Sequence, residues 1–249
     1  MRSIRTARGV IRSLGIYYGR HQRARAQAMD DLYRRFVKPG DLVFDIGAHV
    51  GDRLASFARL GARVVALEPQ PALARVLRLL HGRKADVAIE AVAVGRSAGT
   101  TELKINPDNP TVSTASADFV SAAQSAPGWQ EQRWTRALRV PVTTLDALIE
   151  KYGAPAFIKI DVEGFEAEAL AGLTRPVKAL SFEFTTIQRD VALACVARCG
   201  ALGYRRFNAA LGESQQFAHA DWIDGEAMAR WLSGLPQAAN SGDVYAALD

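Results

Sequence analysis

A small set of carboxylates and glycines carries the chemistry legible in this chain. The stretch LVFDIGAHVG, residues 42–51, sets Asp45 ahead of a turn containing Gly47, Ala48, His49 and Gly51. Farther along, VVALEP delivers Glu68 and Pro69, FIKIDVEG delivers Asp161 and Glu163, and LSFEF carries Glu183. A strand ending in an acid, a glycine-bearing turn, a helix and a second strand ending in an acid describe a nucleotide-type ligand site. Small turn residues let the backbone approach a ligand closely, and the helix that follows offers unpaired N–H groups. Where such groups hold a pyrophosphate the glycine spacing is G-x-G-x-x-G. Here it is Gly47-x-His49-x-Gly51, and a carboxylate at Asp45 repels a pyrophosphate while attracting an ammonium group. The ligand implied is zwitterionic, with an amine and a carboxylate, which points to the amino-acid part of S-adenosylmethionine.

Asp161 closes an apolar strand, and strands of such sheets converge on the ligand at their carboxyl ends, so it is expected beside the reacting centre. Glu183, bracketed by Phe182 and Phe184, needs a partner or a raised pKa, as a second site carboxylate or as a member of a structural ion pair. Glu163 reads as a substrate contact or as an acid favoured by the dipole of the following helix. Three acids also raise the question of an oxygen-ligated metal. The paired Asp-Asn signature of metal-dependent catechol-type methyltransferases is not evident, and no metal is expected. His21, His81 and His219 lack useful spacing and read as surface or helix-end residues. Cys195 and Cys199, four apart and without further ligands, read as free core thiols of a reducing compartment.

Elements to position these residues follow from the apolar pattern. Leu42 to Ile46, Arg63 to Leu67, Val87 to Glu90, Ala156 to Ile160 and Val177 to Phe184 are continuous apolar runs of the kind buried on both faces of a parallel sheet. Tyr204 to Asn208 and Asp243 to Leu248 add two more strands. Helices are expected over 27–36, 52–60, from Pro71 to about His81, 145–151, 165–171, 190–199 ending at Gly200, and 225–232. Strands alternating with helices at this rhythm indicate an α/β fold with one doubly wound, mostly parallel seven-stranded sheet and an antiparallel last strand. Residues 106–139, rich in Pro, Ser and Ala and without clear periodicity, read as a substrate or lid insertion. Thr111, Ser113 and Thr114 lie in it, as do Trp129 and Trp134, whose rings suit stacking on a sugar face.

At 249 residues, with 49% hydrophobic residues, one domain with a full core is ordinary. The net charge of +5 is uneven, because the first forty residues hold ten Arg or Lys against Asp30 and Asp31, and the rest is slightly acidic. Residues 1–38 therefore form a basic helical arm ahead of a catalytic region at 39–249. Within the arm Ile4, Ala7, Ile11, Leu14 and Tyr18 share one helical face and Arg5, Arg8 and Arg12 another, a pattern of a membrane-surface helix, of an organelle transit peptide, or of a helix packed on the catalytic region. No run approaches the ~18 to 20 apolar residues that span a bilayer. The expected location is cytoplasmic, with peripheral membrane contact through the arm.

The chain resembles S-adenosylmethionine-dependent methyltransferases of the FkbM family, a branch of the class I Rossmann-like enzymes. The resemblance rests on LYRRFVKPGDLVFDIGAHVGD, VVALEPQP, AVAVG, VTTLDALI, FIKIDVEGFEAEALAG and GDVYAAL, which occur in that order over most of residues 32–248. It implies that Asp45, Gly47, Ala48 and Gly51 line the methionine end of the cofactor, that Glu68 accepts hydrogen bonds from both ribose hydroxyls with Pro69 beside it, and that Glu90 and Ala91 neighbour the adenine. His49 stands where the family commonly has asparagine; it can donate to the cofactor carboxylate, and its protonation near neutral pH would then affect binding. Thr111 and Ser113 align with a substrate loop. Asp161 is the leading candidate for orienting or deprotonating an acceptor, followed by Glu183 and His49. The implied reaction is methyl transfer to a hydroxyl oxygen of a small molecule, a sugar or a natural product. Other readings stay open: a nucleic-acid methyltransferase, disfavoured because KIDVEG stands where an NPPY-like motif belongs; a nicotinamide dehydrogenase, disfavoured by the glycine spacing; and a non-catalytic cofactor-binding protein recruited through its arm.

Overall fold

A computed structural model describes residues 2–19 and 23–248, with side chains from residue 7 onward. His21 lies outside the described residues, and so do the side chains of Ile4 and Arg5. Helices α1 (Arg2–Tyr18) and α2 (Arg23–Tyr33) precede β1 (Leu42–Ile46), α3 (Asp52–Arg59), β2 (Arg63–Leu67), α4 (Pro71–His81) and β3 (Val87–Glu90). The middle of the chain forms β4 (Ala93–Val94), β5 (Gly99–Ile105), α5 (Ala117–Ser125) and β6 (Arg136–Thr143). The remainder runs α6 (Leu145–Tyr152), β7 (Phe157–Ile160), α7 (Glu166–Ala171), β8 (Ala179–Thr185), α8 (Arg189–Leu202), β9 (Arg206–Leu211), α9 (Gly225–Gly234) and β10 (Ser241–Ala247).

Seven strands form one sheet in the order β3-β2-β1-β7-β8-β10-β9, parallel except for β10, which runs antiparallel to both β8 and β9. Strand order reverses direction at β1 and β7, the switch point where ligands of open α/β sheets bind. Alternate residues of the strands feed two cores. Leu42, Phe44 and Ile46 of β1 join Ile158 and Ile160 of β7 on one face. Val43 and Phe157 join Met29, Leu32, Tyr33 and Phe57 on the other. The continuous apolar character of β1 and β7 thus has the cause expected of it, since every residue of either strand is buried.

The basic arm is part of this packing. Met29, Leu32 and Tyr33 of α2 are buried, and Asp30 accepts hydrogen bonds from Arg59 at 2.8 and 2.7 Å, clamping α2 to α3. Helix α1 buries Val10, Ser13, Leu14 and Tyr17 to differing degrees, with Val10 and Leu14 against Val50, Leu73 and Val76. That face is offset from the one expected through Ile11 and Tyr18, because Ile11 remains 67% exposed. Gly9 explains part of the offset, since a Cβ there would lie 2.5 Å from the Pro107 carbonyl oxygen.

The stretch 106–139 is more ordered than its composition implies. Ser116 caps α5 by accepting from the Phe119 N–H, and β6 begins at Arg136 and pairs with β4 and β5 in a separate three-stranded sheet. Helix α8 runs through Gly200 and ends at Gly203, whose φ of 104° supplies the left-handed cap. Cys195 and Cys199 are buried free thiols on α8. No helix among the described residues is long and apolar enough to cross a membrane.

One ammonium lies inside this apolar architecture. Lys159 of β7 is fully buried, and its Nζ donates to Asp161 Oδ2 at 3.0 Å and to Asp243 Oδ1 of β10 at 2.8 Å. Removing one partner of such a group strands the other charges in a low-dielectric interior, and Lys159→Met should cost about 3 to 5 kcal/mol in urea denaturation. A loss under about 1 kcal/mol, the range of exposed pairs, would contradict this assignment.

Candidate active site

A cleft opens at the switch point, walled by Asp45, Gly47, Ala48, His49, Glu68, Pro69, Asp161, Glu163 and Glu183. Its floor is set by backbone geometry. Asp161 N–H donates to Ile46 O at 2.9 Å, and Gly47 and Ala48 N–H both donate to Leu67 O at 2.9 Å, so the turns after β1 and β7 are bound together. Gly47 has φ of 86°, and a Cβ there would fall 1.8 Å from the Asp161 carbonyl oxygen, which no side chain tolerates.

Asp45 is buried and its Oδ2 has no hydrogen-bond partner. Burial, reinforced by Asp52 and opposed by Lys159 and Arg53, pushes its pKa up to about 7. Glu68 accepts from His49 N–H at 3.0 Å on one oxygen and from Gln70 N–H at 2.7 Å on the other. Each oxygen keeps a lone pair for a further donor. Burial outweighs those two bonds and raises the Glu68 pKa to about 8.

His49 occupies a left-handed conformation, φ 50°, a region in which Asn, Asp and His are enriched among side-chain-bearing residues. Its Nε2 lies 3.4 Å from Thr111 Oγ1, and its ring meets Tyr17 edge to face at 5.5 Å. Burial lowers its pKa to about 4, against the pull of Asp52 and Asp161. The expectation of a titration near neutral pH is therefore corrected, as the ring is neutral there.

Asp161, Glu163 and Glu183 present carboxylate oxygens all within 4.8 Å of one another, a spacing that one cation could span. Burial alone would raise all three. At Asp161 the Lys159 ammonium and Arg53 outweigh it and hold the pKa below the ordinary carboxylate range, helped by a hydrogen bond from the Glu183 carboxyl. Glu163 and Glu183 are pushed well above that range by burial and by the Asp161 charge. The cluster thus contains one ionised member and two that favour the protonated form. Glu163 has φ of 56°, and its turn is held by Glu166, which accepts from Val162 N–H at 3.0 Å and Gly164 N–H at 3.2 Å.

Several expected residues fall elsewhere. Glu90 bonds Lys151 and Tyr152, and neither it nor Ala91 reaches the cleft, whose wall on that side is Val92, Ala93 and Val94. Gly51 packs against α4, where a Cβ would lie 2.7 Å from Leu77 Cδ2. Thr111 and Ser113 line the cleft, but Thr114 is buried and donates to the Glu163 carbonyl at 2.6 Å. Trp129 and Trp134 stand edge-on to Phe119 and pin the insertion; neither is a cleft residue. His81 is buried with its Nε2 3.2 Å from the Tyr18 hydroxyl.

Residues absent from the sequence reading complete the wall: Tyr17, Gln70, Asp52, Arg53, Lys159, Phe165 and Glu213. Arg25 bridges Asp52 and Glu213 at 2.8 Å each, and Arg53 bridges the same pair at 2.6 and 2.9 Å. These partners hold the Asp52 pKa at about 2 although burial opposes them.

Residues 45–233 match the model of the methyltransferase FkbM domain. The chain belongs to the FkbM methyltransferase family. Among solved structures it is similar to precorrin-6y C5,15-methyltransferase from Geobacter metallireducens, at 11% identity over 89% of this chain and 86% of that one, with a TM-score of 0.43. A TehB-like SAM-dependent methyltransferase from Corynebacterium glutamicum gives 10% identity over 88% and 86%, with a TM-score of 0.46. Aeropyrum pernix fibrillarin, solved with S-adenosyl-L-methionine natively bound, gives 10% over 85% and 68%, with a TM-score of 0.43. No curated protein matches the chain.

The enzyme is a methyltransferase with an S-adenosylmethionine cofactor, and the cleft fits that group. The orphaned Asp45 Oδ2 suits its ammonium, the Gly47 turn admits its methionine chain, and the two Glu68 oxygens suit a ribose diol. Tyr17 and the last-strand Asp243 lie outside the matched 45–233 segment yet belong to this site or to its charge network. Because an ammonium favours ionised Asp45, cofactor binding should expel a proton where Asp45 is protonated, and affinity should fall as pH drops through about 7. Calorimetry from pH 8 to pH 6 should show a loss of up to roughly tenfold per pH unit below that value, flattened in Asp45→Asn. An affinity independent of pH over this range would contradict the ammonium assignment.

Proposed function

We propose that this methyltransferase acts on a hydroxyl oxygen of a small molecule, a sugar or a natural product, with Asp161 as the group that orients the acceptor and takes its proton. The observation that carries the reading is the Asp161 carboxylate at the switch point, held by the Lys159 ammonium at 3.0 Å and clustered with Glu163 and Glu183, one oxygen from each within 4.8 Å of the others. When bound, S-adenosylmethionine supplies an electrophilic methyl group, and its transfer forms an oxygen–carbon bond while the sulfur–carbon bond breaks. The protein's share is alignment and proton removal.

Asp161 is partly exposed, its side chain at 27%, so an acceptor hydroxyl can reach it. Lys159 fixes one carboxylate oxygen through Oδ2. Glu183 stands beside the same carboxylate, within 4.8 Å of it, and burial together with the Asp161 charge favours its protonated form. The wall around them offers Glu163, Thr111 and Ser113, polar groups suited to several hydroxyls of one polyol. That supports a sugar-like acceptor without the tryptophan stacking expected from sequence. Neutral His49, beside Thr111, is placed to bond a ligand without adding charge.

The test is transfer of labelled methyl groups to a panel of glycans and natural-product alcohols. Asp161→Asn should lower kcat by about 10²- to 10⁴-fold on the accepted compound. Glu183→Gln keeps a hydrogen-bond donor toward Asp161 and should lose less than about tenfold. A near wild-type kcat in Asp161→Asn would remove Asp161 from this role.

A further inference from the structure

Six large hydrophobic side chains are exposed among the described residues, and five of them lie on just two helices: Ile11, Ile16 and Tyr18 on α1, and Leu79 and Leu80 on α4. The two helices pack on each other through Val10 and Leu14 against Leu73 and Val76, and the Tyr18 hydroxyl reaches His81, the residue after Leu80. Helix α1 therefore has two apolar stripes. One, through Val10, Leu14 and Tyr17, faces the protein. The other, through Ile11 and Tyr18 seven residues apart, faces solvent, where Ile11 is 67% exposed. On α4, Leu79 is 84% exposed, the most of any large hydrophobic residue described.

The charged residues of the two helices themselves have a single sign. Neither α1 nor α4 contains an acidic residue. Arg8 and Arg12 on α1, Arg75 and Arg78 on α4, and Arg83 and Lys84 just beyond it are all exposed. Among the described residues no ion pair holds any of these six, whereas Arg25, Arg53 and Arg59 elsewhere in the molecule are each paired.

We infer that the α1–α4 face docks on an anionic lipid bilayer, with Ile11, Tyr18, Leu79 and Leu80 among the headgroups and acyl boundary and the surrounding cations on lipid phosphates. Exposed apolar side chains ringed by cations are what an interfacial helix requires. A second copy of this chain is a poor occupant, because two such faces brought together oppose cation to cation. A nucleic acid would answer the cations but leave Leu79 and Ile11 without apolar cover. The sequence pattern placed membrane contact on the arm alone; the structure adds α4 as the second half of the surface.

Docking does not depend on the methyl-transfer reading, but it bears on the acceptor. Tyr17, adjacent to Tyr18 on α1, lines the cofactor cleft and meets His49 at 5.5 Å. The same helix thus joins the docking face to the cleft wall, an arrangement that favours an acceptor carried on a lipid.

The full chain should be sedimented with vesicles of phosphatidylcholine alone and of phosphatidylcholine with roughly one-third phosphatidylserine, at about 0.1 M and about 0.5 M salt. The expected result is binding to the anionic vesicles only, weakened at high salt, and reduced at least about tenfold in Leu79→Glu and in Ile11→Glu. Both positions are solvent-exposed, and S-adenosylmethionine affinity in each variant reports that the fold is retained. Absence of binding to anionic vesicles overturns the proposal, as does equal binding to neutral vesicles or undiminished binding by both variants. Concentration-dependent self-association, or binding of duplex DNA, in place of vesicle binding overturns it in favour of those occupants.

Discussion

A single buried ammonium organises the functional end of this molecule. Lys159 sits on a central parallel strand with no exposure to solvent, so its charge must be answered within the protein. Asp161, two residues on, answers from the cleft side, and Asp243 answers from β10. That second partner exists only because β10 runs antiparallel to β8 in a register that sets Asp243 opposite Glu183. The inserted antiparallel strand is therefore more than an edge to the sheet. It lets Lys159 remain charged, Lys159 keeps Asp161 ionised, and Asp161 in turn favours the protonated form of Glu183.

Backbone strain is concentrated around the same point. Two of the four non-glycine residues with positive φ, His49 and Glu163, stand on the cleft wall. Each is held by a buried carboxyl that accepts backbone N–H groups: Glu68 for His49 itself, Glu166 for the residues on either side of Glu163. Such conformations cost about 1 to 3 kcal/mol and persist where the surroundings over-determine them. The carboxyls that hold these loops are themselves raised in pKa by burial, to about 8 at Glu68 and about 7 at Glu166. The binding loops and the titration of the site are consequences of one arrangement.

Much of this was legible in the chain. Continuous apolar runs located the parallel strands, and the acids at their ends located the cleft, because burial on both faces and convergence at the switch point leave plain marks in sequence. Lys159, the lone charge in FIKI, was not singled out, because its meaning depends on Asp243, whose approach follows from strand order and not from local pattern. Glu90 and Ala91 lie outside the cleft wall because the chain continues past β3 before Val92 to Val94 turn onto it. Gly200 reads as a helix stop, yet a glycine is tolerated inside a helix that is packed on both sides of it, and the left-handed cap comes three residues later. The order within 106–139 was hidden because Ala and Ser give α5 little amphipathic contrast; its stability comes from Phe119 and the two tryptophans. Tyr17 lay one position from the apolar stripe that periodicity selected, and a helix with two apolar stripes offers periodicity no means of choosing which faces inward.

The arm, the three-stranded sheet and the catalytic fold therefore line one cleft, and the protonation of its Asp161–Glu183 pair is the claim on which the rest stands. Carbon-13 NMR titration of the side-chain carboxyls, with Asp161 assigned by its loss in Asp161→Asn, reads it directly. The account expects the Asp161 carbon to titrate below the ordinary carboxylate range and the Glu183 carbon to titrate well above it. An Asp161 that titrates above the ordinary carboxylate range, or a Glu183 that titrates below Asp161, would contradict it.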